Sequence, residues 1–175
     1  TVDGVLFSRM IRQTIFAVST NEEKFVLNGV FLETGKSTFA GDNSTLRLVS
    51  TDGYRLAKRG EKIESIGESA ASVIVPAKAL QEIAKILEIK KEGTVQVEFS
   101  ADQISFRFHD TYLVSRLIHG QFPDYRQVIP KKSTTRVLLD TNEMLRSCER
   151  AAVIAAGSGN VTAFEVKGNK LIICA

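Results

Sequence analysis

Cysteine is scarce in this 175-residue chain, with Cys148 and Cys174 the only two, and histidine is equally so, with His109 and His119. The cysteines lie in an apparent helix and a terminal strand. They have no CxxC spacing and no histidine pair beside them, so the common zinc patterns are excluded and buried, reduced thiols are expected. Long apolar runs are missing too. No stretch approaches the roughly 18 to 20 residues that span a bilayer, and the N-terminus lacks a charged start followed by an apolar segment, so a cytoplasmic protein is expected. The sequence also contains no nucleophile elbow, no phosphate-binding glycine loop and no HExxH motif. His109, Asp110 and Ser115 come nearest to a hydrolytic set, but residues 109 and 115 share strand parity only across the Asp110-Thr111 turn. His119, in front of Gly120, reads as a surface residue. No catalytic residue, cofactor or metal site is expected.

What the chain does contain is ordinary globular material, 43% hydrophobic and 25% charged, enough for one full domain and part of another. A net charge of +3 permits contact with nucleic acid without establishing it. In LFSRMIRQTIFAVS, residues Leu6, Met10, Ile11, Ile15 and Val18 recur at helical spacing, with Arg9, Arg12 and Gln13 on the other side. The period then shortens. FVLNGVFLE (Phe25 to Glu33), STFAG (Ser37 to Gly41), TLRLVS (Thr45 to Ser50) and YRLAKRG (Tyr54 to Gly60) read as a meander of antiparallel strands, broken at Thr34-Gly35, Asp42-Asn43 and Asp52-Gly53.

The same plan then restarts. SVIVP (Ser72 to Pro76) is a strand whose proline opens a helix, where its missing N–H costs nothing. The helix Ala77 to Ile89 buries Leu80, Ile83, Ala84 and Leu87 and exposes Lys78, Gln81, Lys85 and Glu88, with Lys90 and Lys91 extending its basic end. Strands Val95 to Ser100, Gln103 to His109 and Tyr112 to Ile118 follow. A third restart has a strand at Val137 to Leu139, a cap at Asp140 or Thr141 and a helix to about Ala156, followed by VTAFEVKG and KLIICA. The restarts lie roughly 65 to 70 residues apart, the mark of a duplicated helix-plus-sheet module. Only the second copy is followed by a connector, GQFPDYRQVIPKKSTT. Two apolar strands at a chain end would leave an open sheet edge, so the third unit is expected to be truncated.

Four segments, FVLNGVFLET, LRLVSTDGYRLA, SVIVPAKAL and HGQFPDYRQVIP, occur here in the order and near the spacing of one family. Over nearly its whole length the chain resembles the bacterial DNA polymerase III beta subunit, the replicative sliding clamp. The resemblance implies an α+β DNA-clamp fold of duplicated helix-plus-antiparallel-sheet units with the helices on one face of the sheets. It implies that residues 1 to 124 are the middle domain, in halves of about 1–70 and 71–124, and that 125–175 are a connector and the truncated start of the third domain. The implied function is a non-catalytic one in DNA replication. A head-to-tail ring of two subunits encircles duplex DNA and confers processivity on the polymerase. A chain without the first domain would not close that ring.

The implied partners are double-stranded DNA without sequence preference, the polymerase III catalytic subunit, the clamp loader and repair proteins. The proteins insert a peptide of the type glutamine-leucine-X-leucine-phenylalanine into an apolar groove between the middle and third domains. Positions matching that groove are Leu27, Thr51, Gly53, Tyr54, Arg55, Leu56, Pro123, Gln127 and Val128. Leu27, Leu56, Pro123 and Val128 would form its floor, with Thr51 and Arg55 at the rim. Tyr54 replaces a smaller polar ring of some members and Gln127 stands where others carry arginine. Asp52-Gly53 is itself a hairpin signal, so Asp52 is expected to be structural.

Sliding on DNA calls for contacts to phosphates, which carry no sequence information, and Arg9, Arg12, Lys78 and Lys85 suit that role. In the loop STNEEKFVL the aromatic tip of better-known members is replaced by Lys24, Phe25 and Val26, leaving Lys24 as the loop's candidate for DNA. The competing reading is a free-standing β-rich peptide-binding module that never meets DNA. The basic faces of successive helices argue against it.

Overall fold

Asp3 starts the first helix two residues earlier than the apolar spacing predicts, because its carboxylate accepts the Leu6 N–H at 2.8 Å. In the computed structural model, which describes residues 1–37, 42–63, 70–90, 92–130, 132–157, 159 and 161–175, the chain divides into two units, Thr1–Val128 and Ile129–Ala175. Most of the predicted strand Ser37 to Gly41, and Lys91, lie outside the described residues.

The first unit contains β1 (Val2–Asp3), α1 (Gly4–Ile15), β2 (Gly29–Thr34), β3 (Leu46–Thr51), β4 (Leu56–Glu61), β5 (Ser72–Pro76), α2 (Ala77–Lys90), β6 (Thr94–Phe99), β7 (Gln103–Phe108) and β8 (Thr111–Arg116). They form two four-stranded antiparallel sheets, β4-β3-β2-β5 and β1-β6-β7-β8. Each half of the repeat therefore lends its first strand to the other half's sheet: β5 pairs with β2, and β1 with β6. That exchange interlocks the halves. Beyond it, the Ile118 N–H donates to the Ile74 carbonyl at 2.9 Å, stitching the end of β8 to β5.

The segment Phe25 to Asn28, predicted as the start of a strand, is instead the end of a 3₁₀ turn, Glu22–Asn28. The Asn21 side chain caps that turn by accepting from the Glu23 N–H, and the Leu27 carbonyl is taken by Ser19 N–H at 2.9 Å. These local bonds outcompete ladder pairing until Gly29.

α1 and α2 pack side by side on one face of the sheets, with the Ser8 hydroxyl donating to the Ala84 carbonyl at 3.3 Å. Phe7, Met10 and Ile11 from α1 and Leu80, Ile83 and Leu87 from α2 meet Val30, Leu32, Leu48, Val95, Ile104 and Phe106 in one core. Each such side chain contributes about 1.5–3 kcal/mol relative to exposure.

The second unit holds α3 (Thr141–Ala155) beside the hairpin of β9 (Ala163–Lys167) and β10 (Lys170–Cys174). Asp140 is its helix cap, accepting the N–H groups of Asn142 and Glu143, both at 2.9 Å. The predicted strand Val137 to Leu139 is not formed: these residues are exposed and, among the described residues, have no neighbouring strand to complete a ladder. The expectation of buried thiols is also corrected. Cys148 is half-buried on α3 and Cys174 is exposed at the last position of β10, because among the described residues the hairpin covers only part of the helix.

Candidate functional site

The strands of β4-β3-β2-β5 send alternate residues away from the helices, and the register sets these out in rows. Leu56 pairs with Thr51 in β3, Lys58 with Val49 and then Phe31 and Ile74, and Gly60 with Arg47 and then Glu33 and Ser72. This second face is not wet. Val49, Arg47 and Ile74 are fully or nearly fully buried, although the helices lie on the opposite side.

Their cover is the connector after β8. Phe122 stacks on Phe31 with ring centroids 4.9 Å apart and planes 7° from parallel, and Tyr125 meets Phe31 edge-on at 6.3 Å. Below the rings lies a charged tie. The Tyr125 hydroxyl donates to Glu33 Oε2 at 2.9 Å, and the same oxygen receives Arg47 Nε at 2.8 Å. Arg47 also donates through Nη1 to the carbonyls of Gly35 and Ser44. Burial raises the Glu33 carboxyl, but the bonds from Arg47 and Tyr125 outweigh it and hold the group below the usual range. Burial, followed by the bond to Glu33, pushes the Tyr125 phenol up to about 12.

At one end of this face, residues 52–55 turn β3 into β4. Asp52 organises the turn as the sequence suggests: its carboxylate accepts the N–H groups of Tyr54 and Arg55 at 2.9 and 3.0 Å, together with Arg55 Nε at 3.0 Å. Those bonds lower it to about 2. Gly53 sits at φ +98°, where a Cβ would be strained. The Thr51 hydroxyl is used within the turn, donating to the Arg55 carbonyl at 2.7 Å and accepting the Gly53 N–H at 3.1 Å.

Tyr54 is 96% exposed, and Lys24 Nζ lies 5.7 Å from its ring centroid. Arg55 reaches over Phe16 at 5.8 Å. Thus Lys24, expected from the sequence to face DNA, sits against the hairpin Thr51–Leu56. Leu27 is half-buried two residues before β2, at the same end of the sheet as Thr51 and Leu56. On the connector, Pro123, Gln127 and Val128 are exposed, with Gln127 Nε2 donating to Asp124 at 3.2 Å. Among the described residues of the connector the buried ones are Phe122 and Tyr125, which were not among the positions singled out from the sequence, nor were Phe31, Glu33 and Arg47. A signal existed in LRLVS, an uninterrupted buried run of the kind that a strand covered on both faces shows.

On the helix side, Arg9 and Arg12 line one shallow depression with Val5, Ser8, Leu87 and Glu88. Arg12 is paired with Glu88, and Lys85 Nζ with Glu82 at 2.8 Å, while Lys78 is exposed at the start of α2. Such exposed pairs are worth about 0–1 kcal/mol, little enough to be exchanged for a phosphate. The β7–β8 hairpin does not assemble a hydrolytic set. His109 stands in the turn with its ring against Phe108, and Ser115 donates to the Arg116 carbonyl opposite Ile104, well along the strand. His119 is exposed, 3.5 Å from Asp102.

Among known proteins, the sequence model of the DNA polymerase III beta subunit, central domain, matches residues 1–124. The beta sliding clamp of Bacillus subtilis (strain 168) is 34% identical over 163 residues, which cover 93% of this chain and 41% of that protein. The crystal structure of the DNA polymerase sliding clamp from Bacillus subtilis superposes with a TM-score of 0.87 at 32% identity, covering 98% of this chain and 44% of that one. The sliding clamp (DNA polymerase III subunit beta) of Bartonella birtlesii bound to griselimycin superposes at 0.85 with 28% identity, covering 98% and 45%. The fold is the α+β clamp fold of these structures, and the chain spans less than half the length of each relative.

Proposed function

This chain belongs to the DNA polymerase III beta subunit family, and on that premise we propose that it forms part of a DNA sliding clamp. In this reading the whole protein encircles duplex DNA as a head-to-tail ring in the cytoplasm, and it tethers the replicative polymerase, the clamp loader and repair proteins without chemistry of its own. Residues 1–124 serve as the middle domain and 125–175 as the connector and start of the third.

The observation that carries the proposal is the outer face of β4-β3-β2-β5. There a rigid hairpin, Thr51–Leu56, and a docked connector flank the same sheet, with the helices and their cations kept to the opposite side. Separating the two surfaces lets one molecule hold DNA loosely by charge and proteins by apolar anchoring.

A fluorescein-labelled peptide of the glutamine-leucine-X-leucine-phenylalanine type, titrated against this protein, is expected to bind. Leu56→Lys should weaken it at least about tenfold, as expected for loss of an anchoring contact. Griselimycin, proposed as a ligand here from its presence on the Bartonella protein, should compete. Peptide binding unaffected by Leu56→Lys would refute the docking assignment. For the ring, the whole protein loaded on nicked circular DNA should be retained and should be lost on linearisation. Failure to stay on circles at any salt concentration would favour a peptide-binding module without DNA.

A further inference from the structure

We propose that Tyr125, through its hydroxyl on Glu33 beside Arg47, is the latch that positions the connector on the sheet and so places Pro123, Gln127 and Val128 at the docking surface; this rests on the docking reading above. Among the described residues, two contacts of different kinds bear on where the connector sits. The Phe122–Phe31 stack supplies apolar area, but parallel rings slide over one another at small cost. The phenol-to-carboxylate bond is directional and charge-assisted, so it sets a position along the face.

Its acceptor cannot drift. Glu33 is clamped by Arg47, whose guanidinium is itself fixed by two backbone carbonyls and whose side chain is only 3% exposed. On the connector side, Tyr125 belongs to a stiff turn. The Asp124 carboxylate caps it by accepting the Arg126 N–H, Arg126 Nε and Gln127 Nε2, and the Val128 N–H donates to the Tyr125 carbonyl at 3.3 Å. A directional tie on a stiff turn therefore bears on the position of every residue from Pro123 to Val128. The raised phenol and lowered carboxylate agree with a bond formed by neutral tyrosine and ionised glutamate.

Tyr125→Phe keeps the ring and deletes the tie. Two readouts decide: hydrogen exchange of amides 117–128 with trypsin cleavage after Arg126, and titration with the labelled peptide. Exchange and cleavage should rise roughly tenfold, the scale of one lost hydrogen bond to a charged group, and peptide affinity should fall severalfold while the thermal midpoint falls by only a few degrees, so that the protein stays folded in both assays. Glu33→Gln, which keeps an acceptor for the phenol, should restore most of the protection relative to Glu33→Ala. Unchanged exchange in Tyr125→Phe overturns the latch. Faster exchange with unchanged affinity overturns its positioning role. If the unaltered protein binds no peptide, the docking reading falls and takes the positioning role with it, while the exchange data still decide the latch.

Discussion

The two sheets of the first unit are copies in plan and opposites in finish. Both turn apolar side chains towards the helices, Val and Leu from β4-β3-β2-β5 and Val, Leu, Ile and Phe from β1-β6-β7-β8. On the far side, however, β4-β3-β2-β5 carries Arg47, Val49 and Ile74 in burial under the connector, whereas β1-β6-β7-β8 turns Glu98, Arg107, Tyr112 and Val114 to solvent. Arg47 and Arg107 both lie on central strands. One is closed in by Glu33 and two carbonyls; the other lies open, with its guanidinium 5.4 Å from the Tyr112 ring centroid. The contrast shows how two halves of one plan come to differ: the core side is kept, and one outer face alone gains a cover.

Breaking that contrast should cost most at Arg47. Arg47→Ala leaves Glu33 without its buried partner and is expected to destabilise the first unit by about 3–5 kcal/mol. Arg107→Ala, on the open face, should stay within about 0.5 kcal/mol. Urea denaturation of both variants measures the difference, and equal shifts would mean the outer faces are energetically alike.

Next comes the aromatic cover. Phe122→Ala should cost about 3 kcal/mol, the lower end for a buried ring, against less than about 1 kcal/mol for Tyr112→Ala, which loses an exposed cation–π contact. Comparing their thermal midpoints ranks the two.

The smallest effect is a sharpening by pH. Tyr125 ionises more reluctantly when folded, its value raised from 10.0 to about 12, so its contribution is complete below pH 10 and is lost as pH rises through about 12. Glu33 has the opposite sign: its folded value is depressed, so its contribution holds above the ordinary carboxylate range and fades as pH falls through the folded value. Stability of Tyr125→Phe should therefore be flatter between pH 10 and 12 than that of the unaltered protein. Identical slopes would show that the phenol is not held as described.

Much of the fold was legible because it rests on local periodicity. α2 from Ala77, the β6–β7–β8 meander, the Asp52-Gly53 turn and the Asp140 cap all follow from spacing and turn chemistry within a few residues. The misreadings arose where a neighbour decides. Phe25 to Asn28 has strand composition, yet Asn21 and Ser19 hold it in a 3₁₀ turn, and Val137 to Leu139 has no strand to pair with among the described residues.

For the site, hairpin Thr51–Leu56 and the connector motif could be picked out as short segments, because turn residues and prolines act on their own backbone. The exchange of β1 and β5 between halves, the burial of Arg47 and the tie from Tyr125 to Glu33 could not. Glu33 and Tyr125 are 92 residues apart, and nothing in either neighbourhood specifies the other. Sequence by itself determined the elements and their amphipathic faces, since these depend on residues within a turn or two of one another. Tertiary structure alone decided which outer face is covered and where each cation rests, since those outcomes depend on what the folded chain brings opposite each residue.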